Sequence, residues 1–339
     1  MAKAKIAING LGRIGKMVLW HYVINKPENV EIVAANGGSG SAEDLAYMLK
    51  FDSVHGRFPV EVSYTDDKLI VGDTEIKLVT GRDPEKLPWA ELGVDIVLEC
   101  TGHFTKRDDA AKHLTAGAKK VLISAPSKDA ELTVVLGVNQ DKYDPAKHDV
   151  ISNASCTTNS LAPAIKVLND AFGIESALVT TVHAYTSSQV TVDRKMPGKH
   201  RRGRAAGANI IPTTTGAAIA TTKVIPELEG KMNARALRVP VVDMAITDIS
   251  ATLKKDVTVE EVNKAFEDAM NGDLKGILEI TYEEVVSTDL INNPHSSIID
   301  GLSTMVVDGN KVKAFAWYDN EFGYSGRLLE LADFVASKF

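Results

Sequence analysis

Lys5–Trp20 reads KIAINGLGRIGKMVLW, and this stretch decides the fold. A short apolar strand runs into Gly10, Gly12 and Gly15 in G-x-G-x-x-G register, and helical spacing follows from Arg13 to about Asn25. Strand, glycine turn and helix in immediate succession form a dinucleotide-binding fingerprint. Gly10 permits the tight turn, Gly12 lets backbone approach a pyrophosphate, and Gly15 lets the helix pack on the strand.

Further along, VEIVAAN, VDIVLECTG, KKVLISAP and DVISNAS repeat the short apolar run between helix-period segments. That alternation predicts parallel strands joined by crossovers. After Ser155 the texture changes: ESALVTTVHAYT, NARALRVPVVDMAITDISATLKK and KVKAFAWYDNE are longer alternating strands suited to antiparallel pairing. The expected fold is therefore α/β, a Rossmann-type doubly wound parallel sheet followed by a second α+β catalytic domain with a mostly antiparallel sheet. A chain of 339 residues exceeds one comfortable core, which agrees with two domains.

The formal net charge of −7 argues against nucleic acid as the main partner. No apolar run approaches the roughly 18 to 20 residues of a membrane span, and the N-terminus turns directly into a strand without a signal-peptide pattern. A cytoplasmic location with no membrane partner is expected. Two cysteines, Cys100 and Cys156, make neither a disulfide framework nor a C-x-x-C zinc pair, so no metal site is read.

The thiols differ in their surroundings. Cys100 ends the apolar strand VDIVLEC and reads as a small buried residue. Cys156 stands in ISNASCTTNSLAPAIKVL, where cap-type residues give way to helical spacing. A thiol at a helix start meets partial positive charge and free N–H groups, so its pKa is expected to fall, and the same N–H groups suit an oxyanion. A covalent thiol mechanism also needs an acid–base partner. His183, delivered by the apolar run of LVTTVHAYT to a strand end, is the best candidate by position, although spacing alone leaves the pairing open. His21, His113 and His148 read as solvated loop or helix positions.

In order along the chain, INGLGRIG, KFDSVHGRF, ECTGHF, ISAPS, SNASCTTN, VHAYT, NIIPTTTGAA, ALRVPVVD and AWYDNEFGYS together resemble phosphorylating glyceraldehyde-3-phosphate dehydrogenase over essentially the whole length. The resemblance implies that Cys156 attacks an aldehyde, that His183 takes the hydroxyl proton, and that hydride passes to a nicotinamide to leave a thioester. Inorganic phosphate then releases 1,3-bisphosphoglycerate, so glyceraldehyde 3-phosphate and phosphate are the implied small-molecule partners. By the family's pattern, Ser155, Thr157, Thr186, Arg202, Thr215, Gly216 and Arg238 hold the two anions. Arg13 and Ile14 match the pyrophosphate turn, Ser124 a nicotinamide-ribose position, and Asn320 the residue that orients the carboxamide. A C-terminal helix returning to the first domain places residues 1–155 and 320–339 in the dinucleotide-binding domain and 156–319 in the catalytic domain. A homotetramer is implied as well.

Two departures bear on the cofactor. About twenty residues beyond the fingerprint, where an acid usually binds the ribose 2′-hydroxyl, stand Asn36, a cofactor-binding candidate able to hydrogen-bond either form of the ribose, and Gly37. Relatives that use NAD carry aspartate at the position of Gly37, and its loss removes a charge that would repel a 2′-phosphate. The loop RKMPGKHRRGR, residues 194–204, contains six Lys and Arg side chains and no acid. In the family this loop nears the adenosine end of a neighbouring subunit's cofactor, so Arg194 and Lys195 are candidates for pairing with a 2′-phosphate. The expectation is NADP-preferring or dual use of NADP and NAD. Ser160 replaces the family's second cysteine, one helical turn beyond the nucleophile. Two alternatives accompany this reading: erythrose-4-phosphate oxidation, and a secondary RNA- or surface-binding role through loop 194–204.

Overall fold

In the computed structural model, which describes residues 2–339, the chain forms two compact units. The first comprises residues 1–134, 140–155 and 324–339; the second comprises 135–139 and 156–323. Among the described residues no helix is long and apolar enough to cross a membrane.

The first unit is built on a nine-stranded sheet. Its strands are β1 (Ala4–Asn9), β2 (Val30–Asn36), β3 (Val62–Tyr64), β4 (Lys68–Val71), β5 (Thr74–Val79), β6 (Ile96–Glu99), β7 (Lys120–Ile123), β8 (Leu132–Thr133) and β9 (Val150–Ser152). They lie in the order β8-β9-β7-β6-β1-β2-β5-β4-β3, parallel except where β4 runs against both its neighbours. Ile6, Ile8, Ile96 and Leu98 are fully buried, because central strands covered on both faces need apolar residues on both. The helix Arg13–Asn25 follows β1 as the glycine turn predicts. The antiparallel edge of β3 and β4 was not expected from sequence; β4 alternates, with Leu69 and Val71 fully buried, and Ile76 of the adjoining β5 is buried beside them.

The second unit holds an eight-stranded mixed sheet. Its main strands are β10 (Ile174–Ala184), β11 (Ile211–Thr214), β12 (Met232–Val239), β13 (Ala245–Leu253), β14 (Leu278–Thr281), β15 (Ser297–Asp300) and β16 (Lys311–Tyr318), in the order β11-β12-β10-β13-β16-β15-β14. Most pairs are antiparallel, but β14 and β15 run parallel, as do β10 and β12, with His183 beside Arg238 in register. The helix Cys156–Phe172 packs against β13, β15 and β16 through the fully buried Leu161, Ala164, Ile165 and Leu168. Spacings of three and four put these four on one face, which is why this helix sits on a sheet.

Candidate active site

In the first unit, Gly10 has φ +103°, a conformation side chains rarely adopt, and a Cβ on Gly15 would lie 2.1 Å from the Gly10 carbonyl oxygen. Nothing lies within 4 Å of the Cβ that Gly12 lacks, so backbone is open to a ligand there. The tight turn read at Gly10 and the close helix–strand packing read at Gly15 are both present, and the backbone at Gly12 is accessible. Arg13 opens the helix as a bidentate partner of the buried Asp52, which also pairs with Lys16 and accepts from the N–H groups of Val54 and His55. Burial opposes ionisation of Asp52, yet these donors hold its carboxyl well below the usual range. Ile14 follows in the first helical turn, its carbonyl accepting from Ser325.

A cavity of about 670 Å³ opens above the carboxyl ends of these strands, where doubly wound sheets bind ligands. Gly10, Gly12, Asn36, Gly37, Gly38 and Arg82 contribute to its walls. The Asn36 amide is spent within the protein: its nitrogen donates to Asn9 Oδ1 and to the Gly81 carbonyl, and its oxygen accepts from Gly38 and Gly81 N–H. Arg82 is exposed at this cavity and was not singled out in the sequence. Ser124 follows β7, its N–H bonded to the Glu99 carbonyl. Burial pushes the Cys100 thiol far above its ordinary range, as expected for an inert position.

The second unit carries the reactive groups. Cys156 is the first residue of its helix, and its Sγ lies 3.5 Å from His183 Nε2. His183 Nδ1 is 2.7 Å from the Ala184 carbonyl, which only accepts, and 3.0 Å from Arg238 Nη1, which only donates; the shorter contact, with Arg238 sending its own hydrogen to that carbonyl, favours the hydrogen on Nδ1 and the Nε2 lone pair towards sulfur. Arg238 Nη1 donates to the same carbonyl at 2.8 Å. Burial and then the Arg238 charge push His183 down to about 3. For Cys156, burial pushes the thiol up, against the pull of Arg238 and the Thr157 hydrogen bonds. The sequence-based expectation of a lowered thiol pKa is therefore corrected for the resting protein. Helix-start and guanidinium charge pull the thiol down, and desolvation, the larger cause, pushes it up.

Tyr318 was not singled out in the sequence. Its hydroxyl bonds to Thr157 Oγ1 at 2.9 Å and Thr181 Oγ1 at 2.8 Å, and its ring stands edge-on to His183 at 5.9 Å between centroids. Only the motif AWYDNE offered a signal, and there Asn320 drew the attention. Asn320 is buried, and its amide oxygen has no partner among the described residues.

The remaining polar candidates of this unit are spread more widely. Arg202 lies in the short turn His200–Gly203, and its charge is felt at Arg238. Thr186 bonds Ser188, Thr215 accepts from Ala217 N–H, and Gly216 caps the helix Ala217–Val224 without a side-chain bond. Ser155 ends the first unit. Arg194 and Lys195 are exposed, whereas Arg204 of the same loop is paired with Asp193 at 2.7 Å. His21 and His113, read as solvated, are both buried.

A glycine-turn nucleotide cavity in one unit and a thiol–imidazole pair in the other define a class of protein, the NAD(P)-dependent dehydrogenases that work through a cysteine. Residues 4–107 match the family model described as glyceraldehyde 3-phosphate dehydrogenase, NAD binding domain, and residues 155–320 match the model of the C-terminal domain. The chain is 55% identical over 335 residues to glyceraldehyde-3-phosphate dehydrogenase of Geobacillus stearothermophilus and 54% identical to glyceraldehyde-3-phosphate dehydrogenase 1 of Bacillus subtilis, covering 98% of both chains in each case. It is 52% identical to the Streptomyces coelicolor enzyme of the same name, over 98% of this chain and 99% of that one. The chain belongs to the glyceraldehyde-3-phosphate dehydrogenase family.

Proposed function

We propose that this enzyme catalyses the reversible oxidative phosphorylation of glyceraldehyde 3-phosphate to 1,3-bisphosphoglycerate, using NADP preferentially or NADP and NAD alike. The observation that carries the chemistry is the 3.5 Å approach of Cys156 Sγ to the lone pair of His183 Nε2. Nε2 takes the thiol proton as sulfur bonds to the aldehyde carbon, and returns it to the resulting alkoxide to give a hemithioacetal. As hydride leaves carbon, Nε2 takes the hydroxyl proton and a thioester remains. An oxygen of inorganic phosphate then attacks the thioester carbon, the C–S bond breaks, and the thiolate recovers its proton from His183.

Bound NAD(P) supplies the hydride acceptor. The open backbone at Gly12 fits the pyrophosphate, with Arg13 and Ile14 in the same turn, and the buried unpartnered oxygen of Asn320 fits a carboxamide N–H. Ser124 is assigned to the nicotinamide ribose. The substrate and attacking phosphates are assigned to Ser155, Thr157, Thr186, Arg202, Thr215, Gly216 and Arg238. The Arg238 guanidinium, which donates to the Ala184 carbonyl beside His183, supports an anion at this site. Two features support use of a 2′-phosphate: no acid at Gly37, and the exposed bases Arg82, Arg194 and Lys195. Self-association is supported by Leu178, 71% exposed on a central strand of the second sheet, with Met305 and Val307 also exposed. We read this as the homotetramer.

The test is steady-state turnover of glyceraldehyde 3-phosphate with phosphate and either cofactor, alongside erythrose 4-phosphate. Cys156→Ser must abolish oxidation, and full activity in that variant overturns the mechanism. A large preference for NAD overturns the cofactor assignment, and a preference for erythrose 4-phosphate overturns the substrate.

A further inference from the structure

Three adjacent parallel strands of the first sheet end in polar residues: β6 in Glu99, β1 in Asn9 and β2 in Asn36. Asn9 is in register with both of the others, so the side chains form one rung across the carboxyl ends of the strands. All three are at least 95% buried, and so are Trp89 and His113, which adjoin the rung. Buried polar groups at this density are costly unless every donor finds an acceptor, and here their polarity can be followed atom by atom.

Trp89 Nε1 is a donor only, and it lies 2.9 Å from His113 Nδ1. Nδ1 therefore accepts, and the ring hydrogen is fixed on Nε2, which donates to Glu99 Oε2 at 3.0 Å. The same oxygen accepts from Asn9 Nδ2 at 2.5 Å, so Asn9 Nδ2 and His113 Nε2, 3.3 Å apart, both direct a hydrogen at it, while Oε1 accepts from the Thr101 N–H and hydroxyl. With its nitrogen turned to Glu99, Asn9 presents its oxygen to Asn36 Nδ2 at 2.8 Å. Asn36 is thereby oriented with its own oxygen towards the N–H groups of Gly38 at 3.2 Å and Gly81 at 3.3 Å. Both glycines, with Gly37, line the 670 Å³ cavity. Reversing either amide would set donor against donor at the next contact, so the direction of the row follows from the acceptor at Glu99, whose oxygen is held in place by His113, itself fixed by Trp89.

We infer that His113 is a positioning residue for the cofactor: locked in one tautomer by Trp89, it orients Glu99 and Asn9, and through them the Asn36 amide that holds the Gly37–Gly38 and Gly81 turns around the adenosine ribose. The inference rests on reading this cavity as the adenosine end of the dinucleotide site. It also gives Asn36 a different task from ribose recognition, since both its amide hydrogens are already engaged with Asn9 and Gly81.

The experiment compares His113→Leu, His113→Gln and Trp89→Phe with the parent enzyme. The readouts are the inhibition constant of ADP-ribose, which carries the adenosine, pyrophosphate and second ribose but no nicotinamide, the cofactor and aldehyde KM values, and kcat at saturating cofactor. Loss of one charge-assisted bond in the row should raise the ADP-ribose constant and the cofactor KM about tenfold in His113→Leu. The aldehyde KM and kcat should stay within about twofold, because the reacting groups lie elsewhere. His113→Gln restores a donor towards Glu99 and should recover much of the loss. Trp89→Phe, which releases the tautomer without touching the histidine, should weaken ADP-ribose by a few-fold and answers the question if the leucine variant does not fold. Unchanged ADP-ribose binding in every folded variant overturns the inference, as does an equal loss in aldehyde KM. If the parent enzyme itself fails to bind ADP-ribose, the reading of the cavity fails first, and this inference with it.

Discussion

Gly37 is the position at which the cofactor assignment can be reversed by one charge. A Cβ there would lie 2.3 Å from Leu45 Cδ1, with the other two Leu45 carbons at 3.3 Å. The obstacle is the end of a flexible side chain on the helix Ala42–Lys50, so a rotamer change relieves it at a cost of about 0.5–1.5 kcal/mol. That steric cost acts on NADP and NAD alike and cancels in their ratio. The charge of Gly37→Asp does not cancel: a carboxylate about 5 Å from a 2′-phosphate is repelled by about 1 kcal/mol in water-like surroundings and about 3 kcal/mol at an effective dielectric constant near 20. The kcat/KM ratio of NADP to NAD should therefore fall about 5- to 150-fold in Gly37→Asp. Gly37→Ala carries the steric change alone and should leave the ratio within about twofold. Adding Leu45→Ala to the aspartate variant should restore stability without restoring the ratio. Equal ratios in the aspartate and alanine variants would refute the reasoning, because the site would then read no charge at this position.

Tyr318→Phe removes the hydroxyl that joins Thr157 and Thr181 and leaves buried groups unpaired. It should lower unfolding free energy by about 1–3 kcal/mol, read from the denaturant midpoint at unchanged m-value. Asp52 has a folded pKa below its ordinary 3.8, so its contribution to stability is complete above that value and is lost as pH falls towards the folded value. The stability gap between the parent and Asp52→Asn should thus be constant near neutrality and close below about pH 4; a gap persisting in stronger acid would count against the ion-pair account. Ser160 is fully buried with no partner for its hydroxyl among the described residues, so Ser160→Ala should be neutral or stabilising by about 1 kcal/mol in thermal unfolding, with unchanged kcat.

The elements that were legible in the sequence are those whose signals are local. The Gly10–Gly15 turn specifies a positive φ and a close helix–strand approach within six residues, so it could be read before any sheet was known. The start of the helix at Cys156 was legible because the residues around it have cap chemistry, and the apolar spacing behind it fixes the buried face. The nine family motifs extended that reading to groups whose neighbours lie far away in the chain.

What was not legible depends on register and on removal of water. His183 and Arg238 are 55 residues apart, and they meet because β10 and β12 pair in parallel with these two residues opposite. No local pattern specifies that pairing, and none indicates that burial would outweigh helix-start charge at the Cys156 thiol. His113 looked like one more polar residue on a short helix. Only the packing of that helix over Trp89 and the end of β6 makes it a fully buried member of a hydrogen-bonded row.

The sequence by itself determined the nucleotide turn, the identity of the nucleophile, the two sheet types and the missing acid at Gly37, because each is encoded by side-chain chemistry within a few residues. The tertiary structure decided the tautomers, the directions of the pKa shifts, the engagement of Asn36 and the role of Tyr318. These follow from which distant groups share a water-free volume, since hydrogen-bond polarity and charge are settled there by neighbours in space rather than along the chain.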